Sequence, residues 1–251
     1  MTTPRILAIA GSDSSGGAGI QADIKTITML GGYAMTAITA ITAQNTTGVS
    51  AIQALSPDIV GAQIDACLGD IGADAVKIGM LGSPAIAMAV ADRLRGLSIP
   101  IIFDPVMVAT SGSLLADQET IAAFEELMAL STLTTPNVPE LEALGGAKAM
   151  AARKVTYLAK GGDATGPIVE DRLVSPGAAD IIWHSDRIET RHTHGTGCTL
   201  SSAIATLLGA GLALEEAVSK SRKFVHAALL AAPGFGAGHG PMGHQAVRPK
   251  P

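Results

Sequence analysis

Residues 5–26, RILAIAGSDSSGGAGIQADIKT, contain the signals for a buried strand, a tight turn and a helix in succession. RILAIA is a short apolar run typical of a strand buried on both faces. The glycines and serines that follow predict a turn. Ile20, Ile24 and Ile27 then recur at the spacing of one helix face. This order predicts the first unit of a parallel α/β fold.

The same alternation of strand and helix continues along the chain. Further helix starts are indicated by Ser56-Pro57, Ser83-Pro84 and Asp117, each followed by an apolar stripe. No linker or repeat interrupts the pattern, so we expect a single domain over 1–251. Its predicted architecture is three-layer α/β/α around a mainly parallel central sheet. The other predicted strands lie at 33–44, 74–80, 99–107, 154–162, 168–174 and 181–188, and the last two helices at 196–209 and 214–231.

Composition narrows the function classes. The 251 residues carry a net charge of −5, with no run of lysine or arginine, which argues against a nucleic-acid surface. The longest mostly apolar run, 203–214, is shorter than the ~18 residues that span a bilayer. No signal peptide is evident at the N-terminus. With only Cys67 and Cys198, these features predict a cytoplasmic protein with neither disulfides nor a membrane partner.

Polar residues collect where the predicted strands end. In parallel sheets, ligands bind beyond the carboxyl ends of the strands. Asp104 directly follows the apolar strand IPIIF, so its carboxylate is expected at that edge. The other polar turns fall at 11–19, 44–46, 79–80, 135–140 and 160–163.

The stretch TPNVPELEAL, residues 135–144, allows two interpretations. Asn137 and Glu140 have the spacing of a helix cap with an acidic first turn. The same pair could supply oxygen ligands that hold Mg²⁺ beside a nucleotide. These residues alone favour the cap, because such caps are common.

The stretch HTHGTGCTLSSAIA, residues 192–205, predicts an anion site. If a helix begins near Thr196, the backbone N–H groups of Gly195 to Cys198 lack helical partners and point at a ligand. The helix field should also lower the pKa of the Cys198 thiol. In contrast, the glycine-rich segment after the first strand lacks the GK(S/T) ending of a Walker A loop. The negative charges of Asp13 and Asp23 also do not suit a site that binds phosphate.

Three other interpretations of Cys198 stay open at this point. His192, His194 and Cys198 could bind zinc, although a structural site would need a fourth ligand. Cys198 could be a covalent nucleophile with a histidine as its base. It could also be a small buried residue at a helix start.

Taken together, the motifs resemble one family across essentially the whole chain. This family is the hydroxymethylpyrimidine/phosphomethylpyrimidine kinases of thiamine biosynthesis, within the ribokinase-like superfamily. The resemblance implies ATP- and Mg²⁺-dependent phosphorylation of 4-amino-5-hydroxymethyl-2-methylpyrimidine to its monophosphate and then its diphosphate. We also expect a homodimer. The motifs are AIAGSDSSGGAGIQADIKT, TAITAQNTTGV, KIGMLGS, DPVMVATSG, TPNVPELEAL, KGG, THGTGCTLSSAIA and GHGP.

The resemblance also implies roles for individual residues. Gln44 would read the aminopyrimidine edge, since an amide offers both a donor and an acceptor. Cys198 stands where superfamily members commonly carry an aspartate base. The resemblance implies contacts to the ring or its hydroxymethyl group for Gly11, Asp23, Thr42, Met80 and Met107. It implies nucleotide contacts for Lys160, Gly161 and Asn137, and Mg²⁺ ligation, partly through water, for Asp104, Glu140 and Asn137. Gly195, Thr196 and Gly197 would form a catalytic anion hole.

Two departures from the family pattern keep other functions in view. Thr110 stands where many relatives carry a lysine that could meet the substrate phosphate, and the segment 142–154 is shorter than usual. The alternatives are a pyridoxal kinase of the same superfamily and a catalytically silent pyrimidine-binding module.

Overall fold

The computed structural model describes residues 2–108, 112 and 115–247. Thr110, and with it the prediction about the second phosphorylation, lies outside the described residues. In the described part, one sheet has the strand order β3-β2-β1-β4-β5-β6-β7-β8-β9. The strands are β1 (Arg5–Asp13), β2 (Tyr33–Asn45), β3 (Gly48–Ala54), β4 (Ala75–Ile78), β5 (Ile101–Phe103), β6 (Leu133–Thr134), β7 (Tyr157–Ala159), β8 (Ile168–Val174) and β9 (Ile181–Asp186).

Helices cover both faces of the sheet, which confirms the predicted three-layer architecture. One layer contains α2, α3 and α4, and the other contains α1, α7 and α8. None of the helices in the described ranges has the length and apolar character needed to cross a bilayer. The helices are α1 (Gly19–Met29), α2 (Pro57–Asp70), α3 (Pro84–Leu94), α4 (Gln118–Leu130), α5 (Val138–Ala143), α6 (Gly146–Ala152), α7 (Thr196–Gly209) and α8 (Leu214–Leu230).

The predicted helix starts are confirmed by side-chain caps. Ser56 Oγ accepts a hydrogen bond from the N–H of Ile59 at 3.4 Å, and Asp117 Oδ1 accepts one from the N–H of Thr120 at 2.8 Å. Ser83 caps α3 in the same way. Each cap satisfies a backbone donor that the helix itself cannot pair.

Some strands differ from their predictions. β3 was not predicted, because most of its residues are exposed and show no apolar alternation. It pairs antiparallel with β2, and β8 and β9 are antiparallel as well. β5 covers three residues of the predicted 99–107. The chain leaves the sheet after Phe103 and lines a cavity instead.

Alternate residues of the central strands face opposite layers. Leu7 and Ile9 of β1 pack towards α2–α4, whereas Ile6 and Ala8 pack towards α1 and α7. This alternation follows from the two-residue period of a strand. Lys77 of β4 is fully buried within this otherwise apolar region.

Candidate active site

A cavity of about 1390 Å³ opens at the carboxyl ends of β1, β2 and β4 and at the N-terminus of α7. This exceeds the roughly 300–1,000 Å³ of a site for one small ligand, so there is room for two. The structure brings most predicted site residues into its lining: Gly11, Thr42, Gln44, Met80, Met107, Asp104, Asn137, Glu140, Lys160, Gly195, Thr196, Gly197 and Cys198.

Gln44 is held by its neighbours at one end of the cavity. Thr42 Oγ1 lies 3.1 Å from Gln44 Oε1, and His194 Nε2 lies 3.3 Å from Gln44 Nε2. Close by, a Cβ atom on Gly11 would come within 2.8 Å of Met80 Sδ, so the glycine lets Met80 lie against β1. The Gln44 amide, the Thr42 hydroxyl and the Met80 thioether thus line the same cavity.

The carboxylate of Asp13 organises the glycine-rich loop after β1. Its Oδ2 accepts hydrogen bonds from the N–H groups of Gly17 and Ala18, and its Oδ1 accepts from the N–H and hydroxyl of Ser15. His194 Nε2 lies 2.8 Å from Oδ2. Burial would raise the pKa of Asp13, but these hydrogen bonds lower it to about 2. Asp13 is therefore a structural anion that stays ionised and pairs the backbone donors of this loop.

The loop after β1 packs directly on the start of α7. Gly195 has a φ of 85°, and a Cβ atom there would lie 1.9 Å from the carbonyl oxygen of Gly17. A Cβ atom on Gly17 would in turn lie 2.4 Å from the His194 ring. Only glycine allows this approach of two backbones.

Asp23 lies beneath the cavity and does not line it, which corrects its predicted contact with the substrate ring. Both oxygens of its carboxylate accept hydrogen bonds from Lys77 Nζ, at 2.9 and 3.0 Å. Ser202 Oγ donates to Oδ1 at 2.7 Å. The buried ion pair and this hydrogen bond thus link Asp23 of α1 to β4 and to α7.

The N-terminus of α7 faces the cavity, as predicted for the anion site. The Thr196 N–H donates to Thr193 O at 3.3 Å, which leaves the N–H groups of Gly197 and Cys198 at the open end of the helix. A Cβ atom on Gly197 would lie 3.3 Å from Lys160 Nζ. A helix N-terminus and a lysine ammonium therefore converge at Gly197.

The predicted lowering of the Cys198 pKa is wrong. Cys198 is partly exposed at the cavity floor, yet the protein around its sulfur raises the pKa to about 11. Lys77 and the N–H of Gly19 lower the pKa of this thiol, whereas Asp23 and Asp104 raise it. Desolvation is the largest effect and outweighs the lowering by Lys77 and the Gly19 N–H, so the thiol is neutral at pH 7 in the free protein.

Lys160 bridges two carboxylates of the cavity wall. Its Nζ lies 2.7 Å from Asp104 Oδ1 and 3.7 Å from Glu140 Oε2. Thr135 Oγ1 donates a further hydrogen bond to Asp104 at 2.9 Å. Burial favours the neutral form of Asp104, but Lys160 and Lys77 outweigh it and hold its pKa below the usual value. Burial raises the pKa of Glu140 to about 7, against the opposing effect of Lys160.

Asn137 and Glu140 form the helix cap that the residues alone favoured. Asn137 Oδ1 accepts from the Glu140 N–H at 2.9 Å, and Glu140 Oε2 accepts from the Asn137 N–H at 2.8 Å. Both residues also line the cavity, so the cap does not exclude a ligand role. Among the described residues, no three His, Cys, Asp or Glu side chains form a ready-made metal cluster. That finding removes the zinc interpretation of His192, His194 and Cys198.

The loop after β7, residues 160–166, is held in place by residues that sequence reasoning missed. Gly161 does not line the cavity, because its N–H donates to Asp171 Oδ1 at 2.9 Å, and Gly162 lines it instead. Asp171 also accepts from Arg222 Nε at 2.6 Å. The Arg187 guanidinium donates to the carbonyl oxygens of residues 162, 164 and 166. None of these partners is near in sequence, so no local pattern indicated them.

The geometry agrees with a comparison to protein families. A family model described as phosphomethylpyrimidine kinase matches residues 13–243. The chain belongs to the phosphomethylpyrimidine kinase family. It is 45% identical to the hydroxymethylpyrimidine/phosphomethylpyrimidine kinase of Rhizobium meliloti (strain 1021), over 95% of this chain and 96% of that protein.

Two solved structures extend the comparison. The phosphomethylpyrimidine kinase from Clostridium difficile 630 has a TM-score of 0.75 at 38% identity, over 89% of this chain and 98% of that one. The ADP complex of Bacillus subtilis pyridoxal kinase has a TM-score of 0.87 at 31% identity, over 98% of both chains. The predictions of the family, of its ribokinase-like fold and of a phosphotransferase are therefore confirmed for this phosphomethylpyrimidine kinase family member.

Asp13 generates a prediction about acid stability. Its folded pKa of about 2 lies below the ordinary value of an aspartate, so the ionised carboxylate stabilises the fold above pH ~4, and that contribution is lost as the pH falls towards 2. We expect Asp13→Asn to lower the free energy of unfolding by about 2 kcal/mol at pH 7, with a smaller difference near pH 3. Urea titrations between pH 3 and 7 measure this. Asp70→Asn, at an exposed carboxylate, is the control, and a pH-independent difference for Asp13→Asn would contradict the prediction.

Proposed function

We propose that the chain uses ATP to phosphorylate 4-amino-5-hydroxymethyl-2-methylpyrimidine, first to the monophosphate and then to the diphosphate, for thiamine biosynthesis. The observation that carries this proposal is the position of Gly197. It lies where the N-terminus of α7 meets Lys160, between the Gln44 end of the cavity and the loop at Gly162. A phosphoryl group held there would have an acceptor on one side and a nucleotide on the other.

The Gln44 end of the cavity suits an aminopyrimidine. The amide of Gln44 offers a donor and an acceptor to the ring edge. Met80 and Met107 supply apolar surface for the ring faces, and Gly11 lets Met80 lie close to β1. The hydroxymethyl group would then point towards Cys198.

The opposite end suits ATP. Lys160 and the N–H groups of Gly197 and Cys198 provide positive potential for the phosphates. Lys223 and Arg222 of α8 line the same end. Asp104, Asn137 and Glu140 carry the oxygen donors that Mg²⁺ prefers, but Lys160 and the helix cap occupy part of that donor set. These residues would therefore hold Mg²⁺ largely through water, and the ion would neutralise phosphate charge.

The transfer itself requires little from a base. The hydroxymethyl oxygen forms a bond to the γ-phosphorus while the bond between that phosphorus and the leaving oxygen of ADP breaks. Positioning and charge neutralisation dominate such reactions, and the hydroxyl proton can leave late. We infer that Cys198 places the hydroxyl group as a neutral thiol and that the proton passes to the transferred phosphoryl group.

Product analysis tests the proposed function. We expect the chain, with ATP, Mg²⁺ and the pyrimidine alcohol, to form the monophosphate and then the diphosphate, with one ADP per step, detected by chromatography and mass spectrometry. Chelation of Mg²⁺ should stop both steps. Absence of both ATP turnover and phosphorylated pyrimidine would contradict the proposal and favour a silent pyrimidine-binding module, and ATP turnover independent of the pyrimidine would contradict the proposal as well.

Pyridoxal phosphorylation is a second candidate function. It is favoured by the TM-score of 0.87 with the Bacillus subtilis pyridoxal kinase. The higher identity, 45%, to the Rhizobium meliloti pyrimidine kinase favours the first candidate. The ratio of kcat/KM for the two alcohols distinguishes them, and a preference for pyridoxal would overturn our assignment.

The neutral thiol at Cys198 predicts a flat pH profile. A thiolate base with a pKa near 11 would make kcat rise about tenfold per pH unit between 7 and 9. We expect kcat to change less than about threefold over that range, because a neutral thiol only positions the hydroxyl group. Cys198→Ser, which keeps a small hydroxyl, should retain most of kcat. A steep rise that Cys198→Ser abolishes would restore the base role.

We also propose a homodimer formed through β3. This strand lies at the edge of the sheet, and Ile52 on it is 47% exposed. Exposed apolar edge strands tend to pair with another chain. Light scattering should give twice the chain mass of 25.3 kDa, and Ile52→Lys should halve that value. Ile182→Lys, on the opposite edge strand β9, is the matched control. A wild-type mass of one chain would contradict the proposal.

The redox state of the cysteines supports a cytoplasmic location. Cys67 and Cys198 are both free thiols in the structure. Free thiols persist in a reducing compartment, where disulfides are rare.

A further inference from the structure

Lys77 is a buried charge that the proposed transfer step does not use directly. It lies in β4 with its side chain fully buried, and its Nζ donates to both oxygens of Asp23. A buried ion pair rarely adds stability over an apolar pair of the same size. Its presence in the central strand therefore calls for a role other than stability.

The ammonium of Lys77 lies at the level where the strands end and the cavity begins. A Cβ atom on Gly79 would lie 2.7 Å from Lys77 Nζ and 3.2 Å from the Cβ of Ala10. Ala10 and Met80, the residue after Gly79, both line the cavity. The Lys77 side chain thus extends along the sheet towards the cavity, and Gly79 leaves the space for its ammonium group.

The partners of Lys77 connect it to two helix N-termini. Asp23 lies one turn after Gly19, the first residue of α1, and Ser202 lies one turn after Cys198 on α7. Residues four apart share a helix face. Because Ser202 Oγ donates to Asp23 Oδ1 at 2.7 Å, Gly19 and Cys198 meet one turn above the ion pair.

We propose that Lys77 is a positioning residue for phosphoryl transfer. Asp23 holds the Lys77 ammonium, and this ion pair joins α1 to α7. The ammonium thereby stays beneath Cys198, where the substrate oxygen reacts. This inference rests on the proposed function for its chemistry. A fixed charge of this kind stabilises negative charge on the reacting oxygen without reorganising in the transition state.

The charges around Cys198 support this role. Lys77 on β4 and Lys160 after β7 supply positive charge, whereas Asp23 on α1 and Asp104 after β5 supply negative charge. Burial would lower the pKa of Lys77, but Asp23, Cys198 and Asp104 outweigh it, so Lys77 stays an ammonium. Of the charged side chains that shift the pKa of the Cys198 thiol, Lys77 has the largest effect.

The test uses two variants that differ in how they disturb the ammonium. Lys77→Met alone would leave Asp23 buried without a partner and could unfold the chain. The double variant D23N/K77M removes both charges and keeps an amide oxygen that can accept the hydrogen bond from the Ser202 hydroxyl. Gly79→Ala keeps both charges and displaces the ammonium sterically. Lys220→Met, which removes an exposed lysine of α8, is the control.

Two readouts separate positioning from mere structural support. In a Cys67→Ala background, Cys198 is the one remaining cysteine of the chain, and its rate of alkylation by iodoacetamide at pH 9 reports the local potential without any substrate. We expect D23N/K77M and Gly79→Ala to slow alkylation at least threefold, since less thiolate forms. We expect kcat to fall at least tenfold, with the KM values for ATP and the pyrimidine changed less than about threefold. Lys220→Met should change neither rate.

One pattern overturns the proposal. If D23N/K77M unfolds at the temperature of the parent chain and keeps both its alkylation rate and its kcat, Lys77 does not position the reacting groups. Because alkylation needs no substrate, this outcome is distinct from a failure of the parent chain to phosphorylate the pyrimidine.

Discussion

The carboxylate of Asp13 binds the loop after β1 and the imidazole of His194 at the same time, across 181 residues of sequence. This contact holds the backbone of Gly17 against that of Gly195; a Cβ atom on Gly195 would prevent this approach, and one on Gly17 would collide with the His194 ring. The N-termini of α1 and α7 consequently open side by side into one cavity. His194 also contacts Gln44, so the same interaction reaches the end of the cavity that suits the pyrimidine.

Two lysines with carboxylate partners lie at the cavity, in a chain whose net charge is −5. Lys160 lies between Asp104 and Glu140 beside Gly197, and Lys77 lies below Cys198 with Asp23 as its counter-ion. Each lysine is fixed by carboxylates, so its ammonium cannot move away when a phosphate arrives. Together with the open N–H groups of α7, these lysines are the groups that would hold phosphate in the proposed function.

The fold was largely predictable because its signals are local. Ser56, Ser83 and Asp117 cap the helices that follow them, and β1 and β2 have the apolar patterns of buried strands. β3 was missed because an exposed edge strand has no such pattern. At the site, the positions of Gln44, Lys160 and Gly197 followed from the motifs. In contrast, Asp23 was misplaced, because nothing near it in sequence shows that Lys77 reaches it.

Periodicity, helix capping and motif order were enough to predict the family, the three layers and the edge of the sheet at which the cavity opens. The charge states, in contrast, follow from contacts between distant segments. The helix field at Cys198 is a local effect, whereas its charged neighbours Lys77, Asp23 and Asp104 come from three separate segments, and its desolvation depends on the packing of the whole site. Electrostatic energies depend on distance through space and on burial, and neither is set by spacing along the chain.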